Sequence, residues 1–332
     1  MLTLGIIGYG YMGKIRHQEI LKRSDSTVKA IYHTQPLAGN FNYCDSWKEI
    51  VNDYAIDAVF VCVPNHMTGD IVVASLEQGK HVFAEKPPGV SLEQVKRMQA
   101  AEQESKKKLK FGFNHRYHPA IIRAKELVES GDFGEILWMR GRYGKSVEAD
   151  FDANWRSQKK FAGGGILMDQ GIHMLDLMQY FCGDFTEAKA FASNLYWKGD
   201  VEDNVFAILK NEKGQVASLH STITQWRYLF SLEIFLSKGY LVVNGLLSKS
   251  GRYGQERLDY AQNRTPAPMA AHSEMHSITF NTDLSWKMEI DEFINAINKN
   301  SQILIGNSYD AYRLMALVER IYEDAGILSG CD

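Results

Sequence analysis

The chain opens on the feature that most limits what it can become. A strand-like apolar run over residues 2–8 passes straight into Gly8-Tyr9-Gly10-Tyr11-Met12-Gly13, and a helical pattern follows over 12–22. Three glycines at this spacing arise by chance in many proteins. A strand before them, a helix after them and a βαβ pattern around them make the spacing specific. Gly8 allows the tight turn, Gly10 lets the backbone approach a pyrophosphate, and Gly13 lets the helix pack closely on the strand. The free N–H groups and positive end of that helix would then meet the diphosphate. The expected dinucleotide loop comprises Gly8, Gly10, Tyr11, Met12 and Gly13.

An acidic residue about 20 positions further on usually holds the ribose hydroxyls of NAD. Here Tyr32-His33-Thr34 occupies that place, with no Asp or Glu and no Arg through residue 42. His33 and Thr34 are therefore candidate contacts to the adenosine ribose or its 2′-phosphate, or they simply end the strand. The cofactor expected is NAD or NADP.

Strand-like and helix-like segments keep alternating to about residue 115. Strands are expected at 28–32, 58–63, 81–84 and around Phe111 and Phe113, with helices at 47–52, 69–78 and 92–106. Such alternation argues for a parallel sheet covered on both faces. After a helix at 119–129 the pattern changes. Strand-like segments at 136–143, 188–197, 205–209, 216–224, 231–237 and 240–243 follow, with turns at 211–214 and 237–239. Tight turns between consecutive strands imply an antiparallel sheet. Residues 251–276, with Pro266 and Pro268, look like a long loop, and helices return at 284–298 and 309–323. The fold class expected is α/β. A Rossmann-type parallel-sheet domain (residues 1–118) would precede an α+β substrate and oligomerisation domain (119–332) with a large, mostly antiparallel open sheet.

Composition narrows the function. With 45% hydrophobic and 23% charged residues the chain has the balance of a soluble globular protein. Its net charge of -3 offers nucleic acid or an anionic membrane nothing to bind. The basic run at 106–110 reads as a solvated helix end. Cys44, Cys62, Cys182 and Cys331 show no CxxC spacing and read as reduced thiols, and no metal site is expected. Glycines follow the first apolar run at once, unlike a secretory leader, and no window is long enough to span a bilayer, so the expected location is cytoplasmic.

Further along, Val63-Pro64-Asn65, Glu85-Lys86-Pro87, Gly112-Phe-Asn114-His115-Arg116, and Gly163-Gly-Gly165 leading into Asp169-Gln-Gly-Ile-His173 appear in order. With the glycine loop they make the chain resemble the Gfo/Idh/MocA oxidoreductases, the family of glucose–fructose oxidoreductase and inositol dehydrogenase, over essentially its whole length. The resemblance implies a nicotinamide cofactor and a sugar, cyclitol or nucleotide sugar as the small-molecule substrate. It implies that Lys86 meets the reacting oxygen, that His173 exchanges the proton, and that Asp169 stands beside it. Pro64, Asn65, Glu85 and Lys86 would line the cofactor, and Asn114, Arg116 and Arg156 the substrate. It further implies a homo-oligomer, dimer or tetramer, formed through the open sheet. Where many relatives carry a histidine after Asn65, this chain has Thr68, with His66 nearer.

The chemistry agrees with these residue types. Taking a hydride from an alcohol carbon requires a base for the hydroxyl proton, and histidine titrates near neutrality. A cation such as Lys86 stabilises a developing alkoxide. Asp169 and His173 are four residues apart, so one helix face carries both, with Asp176 three further on. Asp169 can orient the imidazole, while Asp176 reads as structural. Arg116 either reaches substrate or pairs with a carboxylate. The alternative function is a dinucleotide-binding sensor without turnover, which would have no use for Lys86, Asp169 and His173 together.

Overall fold

A computed structural model describes residues 1–35, 42–248, 251–262 and 274–327. In the first unit, β1 (Leu2–Ile7), β2 (Ser26–Tyr32), β3 (Tyr43–Cys44), β4 (Ala58–Val61), β5 (His81–Ala84) and β6 (Leu109–Phe111) form a sheet of order β3-β2-β1-β4-β5-β6. All its pairings are parallel. The helices are α1 (Tyr11–Ile20), α2 (Trp47–Asn52), α3 (Asn65–Glu77) and α4 (Leu92–Ser105). β4 is buried on both faces, which is why its sequence, Ala-Val-Phe-Val, shows no alternation.

The second unit begins in a short 3₁₀ turn at Asn114–Tyr117 and contains α5 (Pro119–Glu129), β7 (Ile136–Gly144) and α7 (Ile172–Cys182), while α6 (Lys159–Ala162) lies mostly in the first unit. Next come β8 (Glu187–Ser193), β9 (Asn204–Lys210), β10 (Val216–Thr222), β11 (Leu229–Leu236), β12 (Gly239–Asn244), β13 (Glu256–Gln262) and β14 (His276–Phe280). Their order is β14-β13-β12-β11-β7-β10-β9-β8. Among the described strands only the β7–β10 pair is parallel; the hairpins at 211–214 and 237–239 form as expected. The final helices are α8 (Ser285–Asn298) and α9 (Ser308–Asp324).

Several boundaries depart from the sequence pattern. The division is not a single cut at residue 118: the first unit is Met1–Asn114, Lys160–Gly163 and Trp286–Met315, and the second is the remainder. The return of α8 has a plain cause. Its Ile290, Phe293, Ile294 and Ala296 join Leu4, Ile6, Phe60 and Phe83 in one core. Part of the expected loop at 251–276 is β13, masked in sequence because Glu256 and Asp259 are buried polar residues. Glu256 accepts from His118 Nδ1 at 2.8 Å and from the backbone N–H groups of Ala120 and Leu247. Pro266 and Pro268 lie outside the described residues. β8 stops at Ser193 rather than 197, because Asp203 gathers the N–H groups of Leu195, Tyr196 and Trp197. Lys110 is no part of a solvated helix end; it is fully buried in β6, bound to Glu292 at 3.0 Å.

Candidate active site

In the first unit the chain leaves β1 through Gly8, whose φ of +93° is left-handed and favours glycine. A Cβ on Gly8 would lie 2.2 Å from the Cys62 carbonyl oxygen, and one on Gly13 would lie 2.1 Å from that of Gly8. Both glycines are required by the protein's own packing. Gly10 is different. Its φ of -71° suits any residue, and among the described residues a Cβ there meets nothing within 4 Å. The space over Gly10, at the N-terminus of α1, is therefore open, as a cradle for a pyrophosphate must be. Tyr11 is exposed and Met12 half-buried beside it.

His33 and Thr34 lie at the end of β2. The Tyr9 N–H donates to His33 Nδ1 at 3.3 Å, so the imidazole braces the glycine loop. Burial, followed by the Lys14 charge, holds the His33 pKa below its ordinary value. Thr34 is exposed.

Pro64 caps α3, which begins four residues earlier than the 69–78 pattern, so Asn65 lies in its first turn. Asn65 Nδ2 donates to the Ala162 carbonyl at 2.8 Å, and His66 packs on Phe161. Thr68 is buried in the same helix. Lys86 follows β5, half-buried, through a cis peptide to Pro87. Its neighbour Glu85 differs from expectation: the carboxylate turns into the core and accepts from Arg16 Nε at 2.6 Å.

In the second unit a π-helical turn, Leu167–Gly171, carries Asp169 and runs into α7, which carries His173. Single π turns of this kind concentrate at functional sites. The buried Glu202 fixes the turn by accepting from the N–H groups of Gly165 (2.8 Å) and Leu167 (3.0 Å) and from the Tyr322 hydroxyl (2.9 Å). Gly164 and Gly165 permit this closeness, since Cβ atoms there would sit 2.1 Å from Tyr322 Oη and 2.0 Å from the Glu202 carbonyl oxygen.

The His173 ring stacks on His115, centroids 3.7 Å apart and planes within 18°. His115 Nε2 shares a hydrogen bond of 2.9 Å with Tyr143 Oη. Burial raises the Tyr143 pKa well above its ordinary value, aided by Tyr253 and by the Asp169 charge. Tyr253 in turn exchanges hydrogen bonds with the Gln170 side chain at 2.7 and 2.9 Å. The Asp169 carboxylate is paired with Lys145, and Arg156 lies 3.8 Å away. Asp169, His173 and Arg156 thus belong to one polar cluster, joined by His115, Tyr143, Lys145, Tyr253 and Gln170.

Arg116 has a buried carboxylate partner. Its guanidinium forms a bidentate pair with Asp176, at 2.9 and 2.6 Å, both side chains almost wholly buried. Of the two expectations for Arg116, the pairing with a carboxylate is the one seen, and Asp176 is the partner. Asn114 is also buried, in the 3₁₀ turn. Lys145 carried no sequence signal beyond following a strand, and Tyr253 lay in a stretch that read as loop. Cys44, Cys62 and Cys182 are free thiols. Among the described residues no cluster of His, Cys, Asp and Glu could hold a metal, and no helix is long and apolar enough to cross a membrane.

The glycine loop is open over Gly10 in the first unit, and in the second the π turn carries Asp169 just before His173 of α7. Residues 2–113 match the oxidoreductase family model with an NAD-binding Rossmann fold, and residues 121–242 match the GFO/IDH/MocA C-terminal domain. The chain belongs to the Gfo/Idh/MocA oxidoreductase family. Levoglucosan dehydrogenase of Pseudarthrobacter phenanthrenivorans is 29% identical over 266 residues, 67% of each chain. Myo-inositol 2-dehydrogenase of Thermotoga maritima is 26% identical over 255 residues, covering 72% of this chain and 74% of its own. A levoglucosan dehydrogenase solved with NADH and L-sorbose superposes with a TM-score of 0.86 at 25% identity, over 98% of this chain and 97% of that one. As a Gfo/Idh/MocA member the protein is an oxidoreductase with an NAD-binding Rossmann domain.

Proposed function

We propose that the protein moves a hydride between a nicotinamide dinucleotide and a hydroxyl or carbonyl carbon of a sugar, cyclitol or nucleotide sugar. The strongest support is the space over Gly10: among the described residues no packing demands glycine there, whereas a pyrophosphate would. The first relatives act on an anhydrosugar and a cyclitol by name, which suggests the substrate class. When bound, the nicotinamide accepts the hydride in oxidation and supplies it in reduction.

The chain's own residues handle the proton and the charge. His173 takes the hydroxyl proton on an imidazole nitrogen during oxidation and returns it during reduction. Lys86 places an ammonium beside the oxygen as negative charge develops. Asp169, balanced by Lys145 and Arg156, keeps a carboxylate in the cluster that holds the imidazole. Arg156, about half exposed, is the side chain of this set best placed to meet a substrate hydroxyl. His33, Thr34, Pro64 and Asn65 would meet the dinucleotide, whether NAD or NADP, and the protein would work as a homo-oligomer.

The test is a pair of pH–rate profiles on a panel of sugars and cyclitols, with dinucleotide affinity followed by fluorescence. Oxidation by the native protein should fall as acid protonates the base. His173→Asn should flatten that limb and lower kcat by about a hundredfold. Lys86→Met should lower kcat while leaving dinucleotide affinity nearly unchanged, because its charge acts on the reacting oxygen. Near-normal turnover in both variants would remove these residues from the chemistry.

A further inference from the structure

Behind Lys86 lies a group of buried charges for which the hydride-transfer reading has no use. Arg16 on α1 is 0% exposed. Its Nε donates to Glu85 Oε1 and its Nη1 to Glu289 Oε2, both at 2.6 Å. The guanidinium also lies over the rings of Phe83, 4.4 Å away, and Trp286, 4.9 Å away. Space around it is tight: a Cβ on Gly112 would come within 2.9 Å of Glu85 Oε2 and 3.1 Å of Arg16 Nη2. Arg16 Nη2 and Glu289 Oε1 complete no hydrogen bond among the described residues.

Such a cluster is a poor way to gain stability. Removing ions from water costs several kcal/mol each, and apolar side chains of similar volume often serve as well. What it does supply is a fixed geometry. The Glu85 N–H is tied to the Val61 carbonyl at 2.9 Å, and the Gly112 N–H to that of Ala84 at 2.9 Å. With the carboxylate held by Arg16, residue 85 is fixed at both backbone and side chain, and Lys86 is the next residue. We propose that Arg16 is a positioning residue, holding Glu85 in the core and thereby fixing the backbone from which Lys86 projects, with Glu289 of α8 as its second anchor. This rests on the proposed role of Lys86.

The experiment uses the full chain with its lysines reductively 13C-methylated, the Lys86 signal being assigned by its loss in Lys86→Arg. Native protein should give one sharp Lys86 resonance. Arg16→Lys keeps a charge but loses the planar fork. It should broaden that resonance at least twofold or split it, and lower kcat about tenfold, while NADH affinity by fluorescence stays within twofold. If Arg16→Lys does not fold, Arg16→Gln, which loses both the charge and the planar fork, carries the same measurements and expectations. An unmoved Lys86 resonance would overturn the proposal, as would a loss of NADH affinity parallel to the loss of kcat. Should the native protein turn over no substrate, the proposed function fails, and the resonance alone still decides the positioning role.

Discussion

A glycine can be required by its own backbone, by a neighbour in the fold, or by a ligand; the nucleotide loop shows the first two cases, and the third is the proposal for Gly10. Gly8 needs its left-handed φ, and Gly13 needs room against the Gly8 carbonyl. Gly10 needs neither, so the two substitutions Gly10→Val and Gly13→Val should part company. Gly13→Val drives a side chain into backbone and should cost about 3 kcal/mol or more of stability. Gly10→Val should melt within about 3 °C of the native protein. It should nevertheless lose dinucleotide affinity by a hundredfold or more, about 3 kcal/mol. Calorimetry and a fluorescence titration on the two variants check this, and unchanged affinity in a folded Gly10→Val would sink the loop assignment. The motif was legible because Gly8 and Gly13 answer to local geometry. Glu85 and Arg116 were less so, since a carboxylate or guanidinium reads the same in sequence whether it faces a ligand or a buried partner. Their partners, Arg16 and Asp176, lie 69 and 60 positions away in the chain.

Elements defined by strong apolar periodicity were the readable ones. α2, β5 and α5 run over the very residues that their patterns and caps indicate, helped by the Ser46 capping box and by Pro119 opening α5. β13 was not readable, because both of its faces bury a carboxylate, Glu256 on one and Asp259 on the other, with partners that include His118 and Ser277 elsewhere in the chain. α8 shows the same limit from the other side. Its helix was plain, but its home in the first unit depends on a core assembled from residues nearly 300 positions apart. The charge α8 carries into that core has a measurable consequence. Burial raises the Glu289 carboxyl to about 7, against the pull of Arg16 and Lys110 and with the push of Glu85. Between the unfolded value of about 4.3 and 7, the unfolded chain releases this proton while the folded chain keeps it. The stability that Glu289 contributes is therefore complete at low pH and lost as pH rises through 7. Glu289→Gln should remove that decline, so that its melting temperature falls less between pH 5 and 8, by about 3 °C or more. Parallel declines in the two proteins would mean that Glu289 ionises at its ordinary pH.

For the molecule as a whole, the outer face of the eight-stranded sheet is the surface that a lone chain would leave costly. β8, β9, β10 and β7 present outward rows in register: Phe191, Phe206, His220 and Arg142 in one, Glu187, Lys210, Val216 and Trp138 in another. Between them lies a third row containing Ile208. Phe191 is 81% exposed, Phe206 and Ile208 52% each, and Trp138 38%. Monomeric proteins seldom leave contiguous apolar patches beyond a few hundred Å² uncovered. Rings already ordered by stacking, Phe206 on His220 and Trp138 on Phe235, lose little further freedom when covered. The face also carries both signs of charge, Arg140 and Arg142 beside Glu233 and Lys189 beside Glu187, which suits a self-complementary contact between two copies. The protein should therefore sediment as a dimer or tetramer of its 37.7 kDa chain at micromolar concentration. Phe206→Asp together with Ile208→Glu should shift it to the monomer. Both side chains point away from the core, so NADH affinity should be kept to within about threefold in the variant. A native protein that sediments as a monomer at 50 μM would remove the sheet face as a subunit interface. An oligomer unaffected by the double substitution would move the interface elsewhere on the chain.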